Sequence, residues 1–279
     1  MFAATEASAQ AWLPTKGSFD MSLSYTNTLN KKHYLPNGDE LDVGSTRVEV
    51  MSVRFTYGIT DRLTLSGGIP YVSSWYMGDF PHPGNVDDGN KNKTWTDWRL
   101  GLHYQVTEGP IAFAPYVQYM QPITDYDTMG HAASGRGLEE VWLGFFAGRN
   151  LDNLLPRSYI QMRYNYAFVE EVASISHNRS NLDIEFGYRI MPRWSVRGVA
   201  LIQDNYGGID VPIPRTHPLF LYHDQLAEED HIILGAGTSW IFSPGSSVSF
   251  LYTESVKGKN GHKVDQSVNV GWTWSFAPP

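Results

Sequence analysis

Histidine and serine occur close together at two places in the chain, and a serine nucleophile needs a nearby base such as histidine. His131 precedes Ser134, and His177 precedes Ser180. We expect both pairs to lie in loops, and neither has an obvious third residue to orient its histidine. We therefore predict that the protein is not an enzyme. A lipase that uses one of these pairs is the weakest of the alternatives that remain.

An acidic run could also do chemistry, because Asp87-Asp88-Gly89-Asn90 offers the oxygen ligands that Ca²⁺ prefers. The run lacks the twelve-residue ligand pattern of an EF-hand, so we interpret it as a solvated turn. Cysteine is absent, which excludes thiol catalysis, thiolate metal sites and disulfides. The sequence therefore predicts neither a metal nor another cofactor.

A larger set of charged and amide side chains sits at alternate positions between apolar residues. The set comprises Arg54, Arg99, His103, Glu140, Gln161, Arg163, Asp183, Glu185, Arg189, Arg197 and Gln203. Successive side chains of a strand point to opposite faces, so this set shares one face of a sheet. An Arg on a lipid-facing surface costs about 2–4 kcal/mol at the bilayer midplane, so we expect this face to line a barrel lumen.

Two interpretations of this lumen remain open. In the first, the arginines face Asp183 and Glu185 across a pore and orient a polar or anionic solute. In the second, the charges pair across a packed interior that has no continuous water path. Side chains fill a barrel of eight strands, whereas 16–18 strands leave an open channel. The number predicted below for this chain, about 12, lies between these values and allows either interpretation.

The elements that carry these residues are segments with period-2 alternation, which recur along the whole chain. Residues 51–57 and 63–71, for example, alternate on both sides of a four-residue turn at 59–62 and predict a hairpin. The pattern predicts an all-β fold, a transmembrane antiparallel up-and-down β-barrel of about 12 strands with short periplasmic turns and long extracellular loops. The six longer connections are expected at roughly 27–45, 76–94, 121–138, 170–180, 204–230 and 257–263.

The last predicted strand has an aromatic face and a small polar face. Val270, Trp272, Trp274 and Phe276 alternate with small or polar residues, which include Asn269 and Gly271. An unbroken aromatic face does not stay in water, and apolar outside with polar inside is typical of a transmembrane barrel. The order of Asn269, Gly271, Trp274 and Phe276 also resembles the terminal strand signal that closes bacterial outer-membrane barrels and is read by their insertion machinery.

The amino-acid composition supports a transmembrane β-barrel. Aromatic residues make up 14% of the chain and charged residues 18%, and the mean hydropathy of −0.32 argues against a helical membrane protein. The net charge of −8, without a dense basic patch, gives no sign of nucleic-acid binding. A soluble sandwich or lipocalin-like barrel is the competing fold, but its apolar face would be dominated by Val, Leu and Ile rather than Tyr and Trp.

The chain is expected to form one domain. Residues 1–9 contain Ala7-Ser8-Ala9, which fits a cleavage site, so we interpret 1–9 as a signal-peptide remnant or a flexible leader. Residues 10–279 are then a single outer-membrane β-barrel domain.

Several motifs resemble one family of outer-membrane proteins, named for the meta-pathway of phenol degradation. The motifs are Tyr57–Leu65 with Ile69–Val72, Trp12-Leu13-Pro14 with Gly17, Asp97–Leu102 with Tyr104, Gly187-Tyr188-Arg189 and Gly258-Lys259-Asn260. They are hairpin turns and strand ends and carry no chemistry of their own. The resemblance implies a channel or passive transporter for small solutes, with aromatic or hydrophobic compounds among the candidates, in the bacterial outer membrane.

Two apolar groups of residues are expected near the barrel mouth. Trp75, Tyr76 and Phe80 lie around the start of the loop at 76–94, and Ile213, Phe220 and Tyr222 lie in the loop at 204–230. They form either a greasy entry site or a surface that packs against the rim or a protein partner. The expected partners are outer-membrane lipid, a small-molecule solute and the barrel-insertion machinery, while a closed structural or partner-binding barrel without conductance is the alternative function. The sequence gives no oligomeric state.

Overall fold

A closed antiparallel barrel of twelve strands forms the wall of the protein. The computed structural model describes residues 11–79 and 86–276, and the predicted leader at 1–9 and Phe80 lie outside them. The strands are β1 Phe19–Tyr34, β2 Glu40–Leu41, β3 Ser45–Gly58, β4 Leu63–Met77, β5 Asn92–Trp95, β6 Asp97–Tyr104, β7 Ala112–Pro122, β8 Glu140–Asn150, β9 Ser158–Val169, β10 His177–Met191, β11 Trp194–Gly207, β12 Asp230–Ser243, β13 Ser246–Lys259 and β14 Gly261–Phe276.

Two of these strands are not separate members of the barrel wall. The two-residue β2 pairs only with the end of β1, and β5 continues β6 along β4 after an interruption at Thr96. The other twelve pair with their neighbours in chain order, and β14 pairs with β1 to close the circle. The predicted fold class and strand number are therefore confirmed. No helix in 11–79 or 86–276 is long and apolar enough to cross a bilayer.

The closing seam lies where the terminal signal predicts it. β1 and β14 run antiparallel from Phe19 opposite Phe276 to Tyr34 opposite Gly261, with a register shift near Asn30. Asn269 is buried and donates from Nδ2 to Thr26 Oγ1 at 2.8 Å across the seam, so the polar face of β14 points inward. The Phe276 ring lies 6.0 Å from that of Phe19.

The outer face of the barrel is apolar. Trp272 and Phe276 are 45% and 53% exposed, and comparable exposure recurs at Leu23, Met51, Val53, Leu100, Leu102, Val117, Leu143, Ile160, Phe186, Leu234 and Phe250 on other strands. A surface of this extent is stable only when another apolar phase covers it. Aromatic rings such as Tyr57, Tyr104 and Trp240 lie at strand ends, as in the aromatic girdles of membrane barrels.

The connections alternate between the two ends of the barrel. Five connections join strands at the end that holds Phe19 and Phe276, which we call the short-turn end. The others lie at the opposite end, which holds Tyr34 and Gly261 and which we call the long-loop end. Two predicted loops are much shorter than expected, and the connection between β9 and β10 covers 170–176 rather than 170–180. β1 continues to Tyr34, so its connection to β3 covers 35–44, and β13 and β14 are joined by Asn260 alone, in the left-handed conformation that Asn tolerates (φ 53°).

Two of the long loops fold into the barrel. The loop at 123–139 buries Ala132, Ala133 and Leu138, and the loop at 208–229 buries Ile209 and Leu226. The second loop contains one turn of 3-10 helix, Phe220–Tyr222. At the short-turn end, the segment before β1 also enters the lumen: Leu13 lines the lower cavity and its N–H donates to Gln105 Oε1 at 2.9 Å, and Ala11 is fully buried. The lumen is therefore partly filled by chain segments.

Candidate functional site

Three cavities follow one another along the lumen. A mouth cavity of about 230 Å³ lies at the long-loop end, between Tyr34, Ile213 and His262. A middle cavity of about 110 Å³ lies between Val50, Trp142 and Leu201. A lower cavity of about 330 Å³ opens near Ser22 and Ser275 at the short-turn end.

Three arginines separate the middle and lower cavities. Arg54, Arg99 and Arg163 line both cavities, so their guanidinium groups lie at the boundary, which we call the arginine constriction. They come from β3, β6 and β9, and alternation turns each of them inward. The sequence predicted all three as lumen residues, but it did not predict that they meet at one level.

Several lumen charges, including Arg163 of the constriction, occur in close pairs. Arg179 Nη2 contacts both carboxylate oxygens of Glu140, at 2.6 and 2.5 Å. Arg163 pairs with Asp183 on the adjacent strand, and Arg197 Nη1 lies 3.4 Å from Glu185 Oε2. Pairing is expected here, because a buried charge without a partner costs several kcal/mol. The lumen therefore contains both ion pairs and cavities, and these three pairs join strands that are one or two places apart in the wall rather than opposite each other across the lumen.

The middle cavity has an apolar wall and a charged wall. Val48, Val50 and Val72 form a buried cluster on β3 and β4. The charged side is formed by Arg179, Asp183 and other paired groups. A cavity of this kind is complementary to a solute with one apolar part and one polar part.

The loop at 123–139 forms a partition between the mouth and middle cavities. His131 lines the mouth cavity, whereas Ser134 and Arg136 line the middle one. Arg136 Nη2 donates to Glu229 Oε2 at 2.6 Å, which joins this loop to the loop at 208–229.

A tyrosine ties the base of this partition to the wall. The Tyr126 hydroxyl donates to Asp97 Oδ1 at 2.7 Å and accepts from Gly137 N–H at 2.9 Å. Burial, followed by the neighbouring Asp97 carboxylate, raises the pKa of Tyr126 well above its ordinary value. Tyr126 therefore stays protonated and keeps donating throughout the neutral range.

The remaining predicted lumen residues lie at different depths. His103 lies in the lower cavity and contacts Ser66 Oγ through Nε2 at 2.6 Å, and Gln161 Nε2 donates to Glu185 Oε1 at 2.9 Å. Gln203 lines the middle cavity and donates to the Glu229 carbonyl oxygen at 3.0 Å. Arg189 is exposed near the short-turn end and lines none of the three cavities described above.

The predicted mouth residues divide between the two faces of the wall. Tyr76 is buried, donates its hydroxyl proton to the Val43 carbonyl oxygen, and stacks on His131 with 5.5 Å between ring centroids. Ile213 and Phe220 line the mouth cavity, and Tyr222 packs against the interior core. Trp75 shows the opposite parity, and its ring lies 4.0 Å from Lys91 Nζ, so it points away from the lumen and does not line the mouth cavity.

The two histidine–serine pairs do not form catalytic dyads. His177 and Ser180 belong to β10 rather than to a loop; His177 Nε2 lies 2.7 Å from the Ala227 carbonyl oxygen, and Ser180 Oγ lies 3.3 Å from the Tyr206 hydroxyl. His131 Nδ1 contacts His33 Nε2 at 3.0 Å instead of Ser134. In neither of these two pairs does the histidine contact its serine, which a nucleophile and its base would have to do.

Several lumen residues were missed by the sequence analysis. Arg179 shares the inward parity of Asp183, so alternation would have identified it. Arg136 and Glu229 belong to loops that were predicted to lie outside the barrel, and no periodic signal marks them.

Known structures share this architecture. No family model matches the sequence, and no curated protein is similar to it. An outer membrane channel from Pseudomonas putida F1 is 14% identical with a TM-score of 0.71, over 99% of this chain and 100% of that chain. The fold is that of a bacterial outer-membrane β-barrel.

Two further barrels are similar at lower scores. The NanC porin is 9% identical with a TM-score of 0.50, over 92% of this chain and 99% of that chain. The translocator domain of the autotransporter NalP from Neisseria meningitidis is 12% identical with a TM-score of 0.50, over 94% of this chain and 90% of that chain. At identities this low, structural similarity establishes a shared fold and no more, so the function has to be inferred from the lumen of this chain.

Proposed function

We propose that the protein is a channel of the bacterial outer membrane that lets small solutes cross passively. The observation that carries this proposal is the succession of three cavities through a barrel whose outer face is apolar. A barrel that is only structural has no need for cavities bounded by charged side chains. The short-turn end would face the periplasm and the long-loop end the exterior, which is the usual asymmetry of such barrels.

The solute class follows from the walls of the lumen. The arginine constriction of Arg54, Arg99 and Arg163 favours a solute with an anionic or strongly polar group. The valine cluster above it favours an apolar body. We therefore propose small amphipathic solutes, with aromatic compounds that carry a carboxylate among them. The resemblance to the family named for phenol degradation implies aromatic or hydrophobic solutes, in agreement with this solute class, and we propose membership of that family as well.

Planar-bilayer recordings test the channel directly. Purified protein should give discrete conductance steps in KCl, and liposomes that contain it should swell in small solutes and not in large oligosaccharides. Benzoate and cyclohexanol are a useful pair of solutes, since they differ in charge but are comparable in size. No conductance together with no solute uptake would refute the proposal.

A closed partner-binding barrel is the second candidate, and the inward loops favour it. The loops at 123–139 and 208–229 are joined by the Arg136–Glu229 ion pair and occupy the lumen between the cavities. This candidate predicts no conductance, and deletion of 209–222 should abolish an association seen in pull-downs. An association that survives the deletion would remove this candidate, whereas conductance in the unmodified protein would favour the channel.

A further inference from the structure

Three imidazole rings meet at the long-loop end of the lumen. His33 lies next to the end of β1, His262 lies at the start of β14, and His131 lies in the loop at 123–139. Each ring contributes a ligand nitrogen to a group whose atoms all lie within 4.8 Å of one another. The three residues are far apart in sequence, so only the closed barrel with its inward loop brings them together.

The position of each ring is fixed by the fold. His33 and His262 are opposite each other in the seam between β1 and β14, and their ring centroids are 4.1 Å apart. The backbone N–H groups of His131 and Ala132 donate to the two carboxylate oxygens of Asp87, at 3.0 and 2.9 Å. The loop therefore presents His131 to the seam in a defined orientation.

His262 has the surroundings of a metal ligand. It is 8% exposed, and its Nε2 has no hydrogen-bond partner within the part of the chain that the structure describes. Its Nδ1 lies 3.6 Å from Glu229 Oε1, and Glu229 is itself held by Arg136. Metal-bound histidines usually place the second ring nitrogen against a carboxylate in this way, which fixes the tautomer and leaves the other nitrogen for the ion.

A cluster of hydrogen-bonded histidines without a metal ion is the simpler explanation. It accounts for the 3.0 Å contact between His131 Nδ1 and His33 Nε2, where one nitrogen donates and the other accepts. A metal-free cluster of this kind gives no role to the buried Nε2 of His262. Nitrogen ligands around a tetrahedral Zn²⁺ lie roughly 3.3 Å from one another, since each Zn–N bond is about 2.0–2.1 Å. The ligand atoms of the three rings lie within 4.8 Å of one another, so rotation of the rings about their side-chain bonds would bring them to that geometry.

We propose that His33, His131 and His262 form a binding site for one divalent transition-metal ion of the zinc class. Imidazole nitrogen suits Zn²⁺, Cu²⁺ and Ni²⁺ rather than Mg²⁺ or Ca²⁺. Three protein ligands leave a fourth position for water, and the mouth cavity that these residues line gives the ion access from the long-loop end. The bound ion fastens the partition loop to the seam of the barrel. This site does not depend on conductance, so it stands or falls separately from the proposed channel.

Isothermal titration calorimetry tests the site with the full chain in detergent after treatment with EDTA. ZnCl₂ should bind with a stoichiometry of one ion per chain, and MgCl₂ should give no heat of binding. His131→Ala should weaken Zn²⁺ binding at least tenfold, because it removes one of three ligands. His217→Ala is the matched control, since His217 is exposed in the loop at 208–229 and outside the cluster, and it should bind Zn²⁺ as the unmodified protein does.

Folding of each variant is checked by its heat-modifiable migration on SDS gels. If His262→Ala fails to fold, His131→Ala keeps the test valid, because its side chain belongs to a loop and not to the wall. X-ray absorption of the zinc-loaded protein should report nitrogen and oxygen neighbours with at least three imidazoles. Absence of Zn²⁺ binding in the unmodified protein, or unchanged affinity in a folded His131→Ala variant, would overturn the proposal.

Discussion

Removal of Arg179 should strongly destabilise the barrel, because it isolates a buried carboxylate. The side chains of Arg179 and Glu140 are 8% and 2% exposed, and Arg179 Nη2 contacts both oxygens of Glu140. In Arg179→Met, Glu140 keeps the Trp142 indole N–H, which donates at 2.6 Å, but it loses its countercharge. Loss of one member of a buried ion pair typically costs about 3–5 kcal/mol, and we expect the free energy of unfolding to fall by that amount.

The paired variant Arg179→Met/Glu140→Gln separates charge from packing. The amide that replaces the Glu140 carboxylate is neutral and still offers an oxygen to the Trp142 indole N–H, so the desolvation penalty of the buried carboxylate disappears. Replacement of a whole buried pair by neutral groups is often close to neutral, and we expect the double variant to recover all but about 1–2 kcal/mol.

Urea unfolding in lipid vesicles, followed by tryptophan fluorescence, measures both variants against the unmodified protein. Exposed Arg193→Met in the short turn between β10 and β11 is a matched control, since it makes the same side-chain change outside the lumen, and it should shift the free energy of unfolding by less than about 0.5 kcal/mol. Equal losses for the single and double variants would refute the reasoning, because the cost would then come from lost packing and not from an isolated charge.

Three further predictions concern the wall, the constriction and the partition loop. Val53 lies on the outer face of β3, and Val53→Arg should lower the free energy of unfolding in vesicles by about 2–4 kcal/mol. Tyr57→Arg, near the short-turn end, should lower it by only about 0–1 kcal/mol, and equal costs would contradict the membrane orientation. Arg99→Gln should lower the anion-to-cation permeability ratio several-fold at low salt, because the interaction of an anion with a unit charge about 4 Å away is worth about 1 kcal/mol even in water. An unchanged reversal potential in a KCl gradient would contradict a role of Arg99 in selectivity. The pKa of Tyr126 is raised in the folded state, so its contribution to stability is fully present below the unfolded pKa near 10 and is lost as the pH rises further. Tyr126→Phe should therefore reduce the loss of folding free energy between pH 9 and 11. An identical pH profile of the free energy of unfolding in the variant would count against this assignment.

The wall could be predicted from the sequence because lipid imposes a strict rule on it. Every membrane-spanning strand has an apolar face toward acyl chains, so an error of one residue in register would place polar residues in lipid. This is why the twelve strands, the seam at β14 and the inward direction of Arg163 and Asp183 followed from alternation.

The prediction failed where the strands leave the bilayer. β1 continues to Tyr34 through Lys31 and Lys32, a segment that was predicted as loop. Beyond the membrane both faces of a strand contact water or other polar groups, so the backbone keeps its hydrogen bonds while the side chains lose their alternation. A strand boundary read from hydrophobicity therefore marks the edge of the lipid rather than the end of the strand.

The interior could not be predicted because its shape depends on loops more than on strands. Twelve strands enclose more space than the eight that side chains fill, and less than the 16–18 that leave a wide channel. In this chain the loops at 123–139 and 208–229 take up part of that space, and small residues such as Ala132 and Ala133 let the first of them pass close to β4. The passage between the cavities is then set by where these loops rest. Variants of the wall should therefore change stability, whereas variants of the partition loop and of the arginine constriction should change which solutes pass.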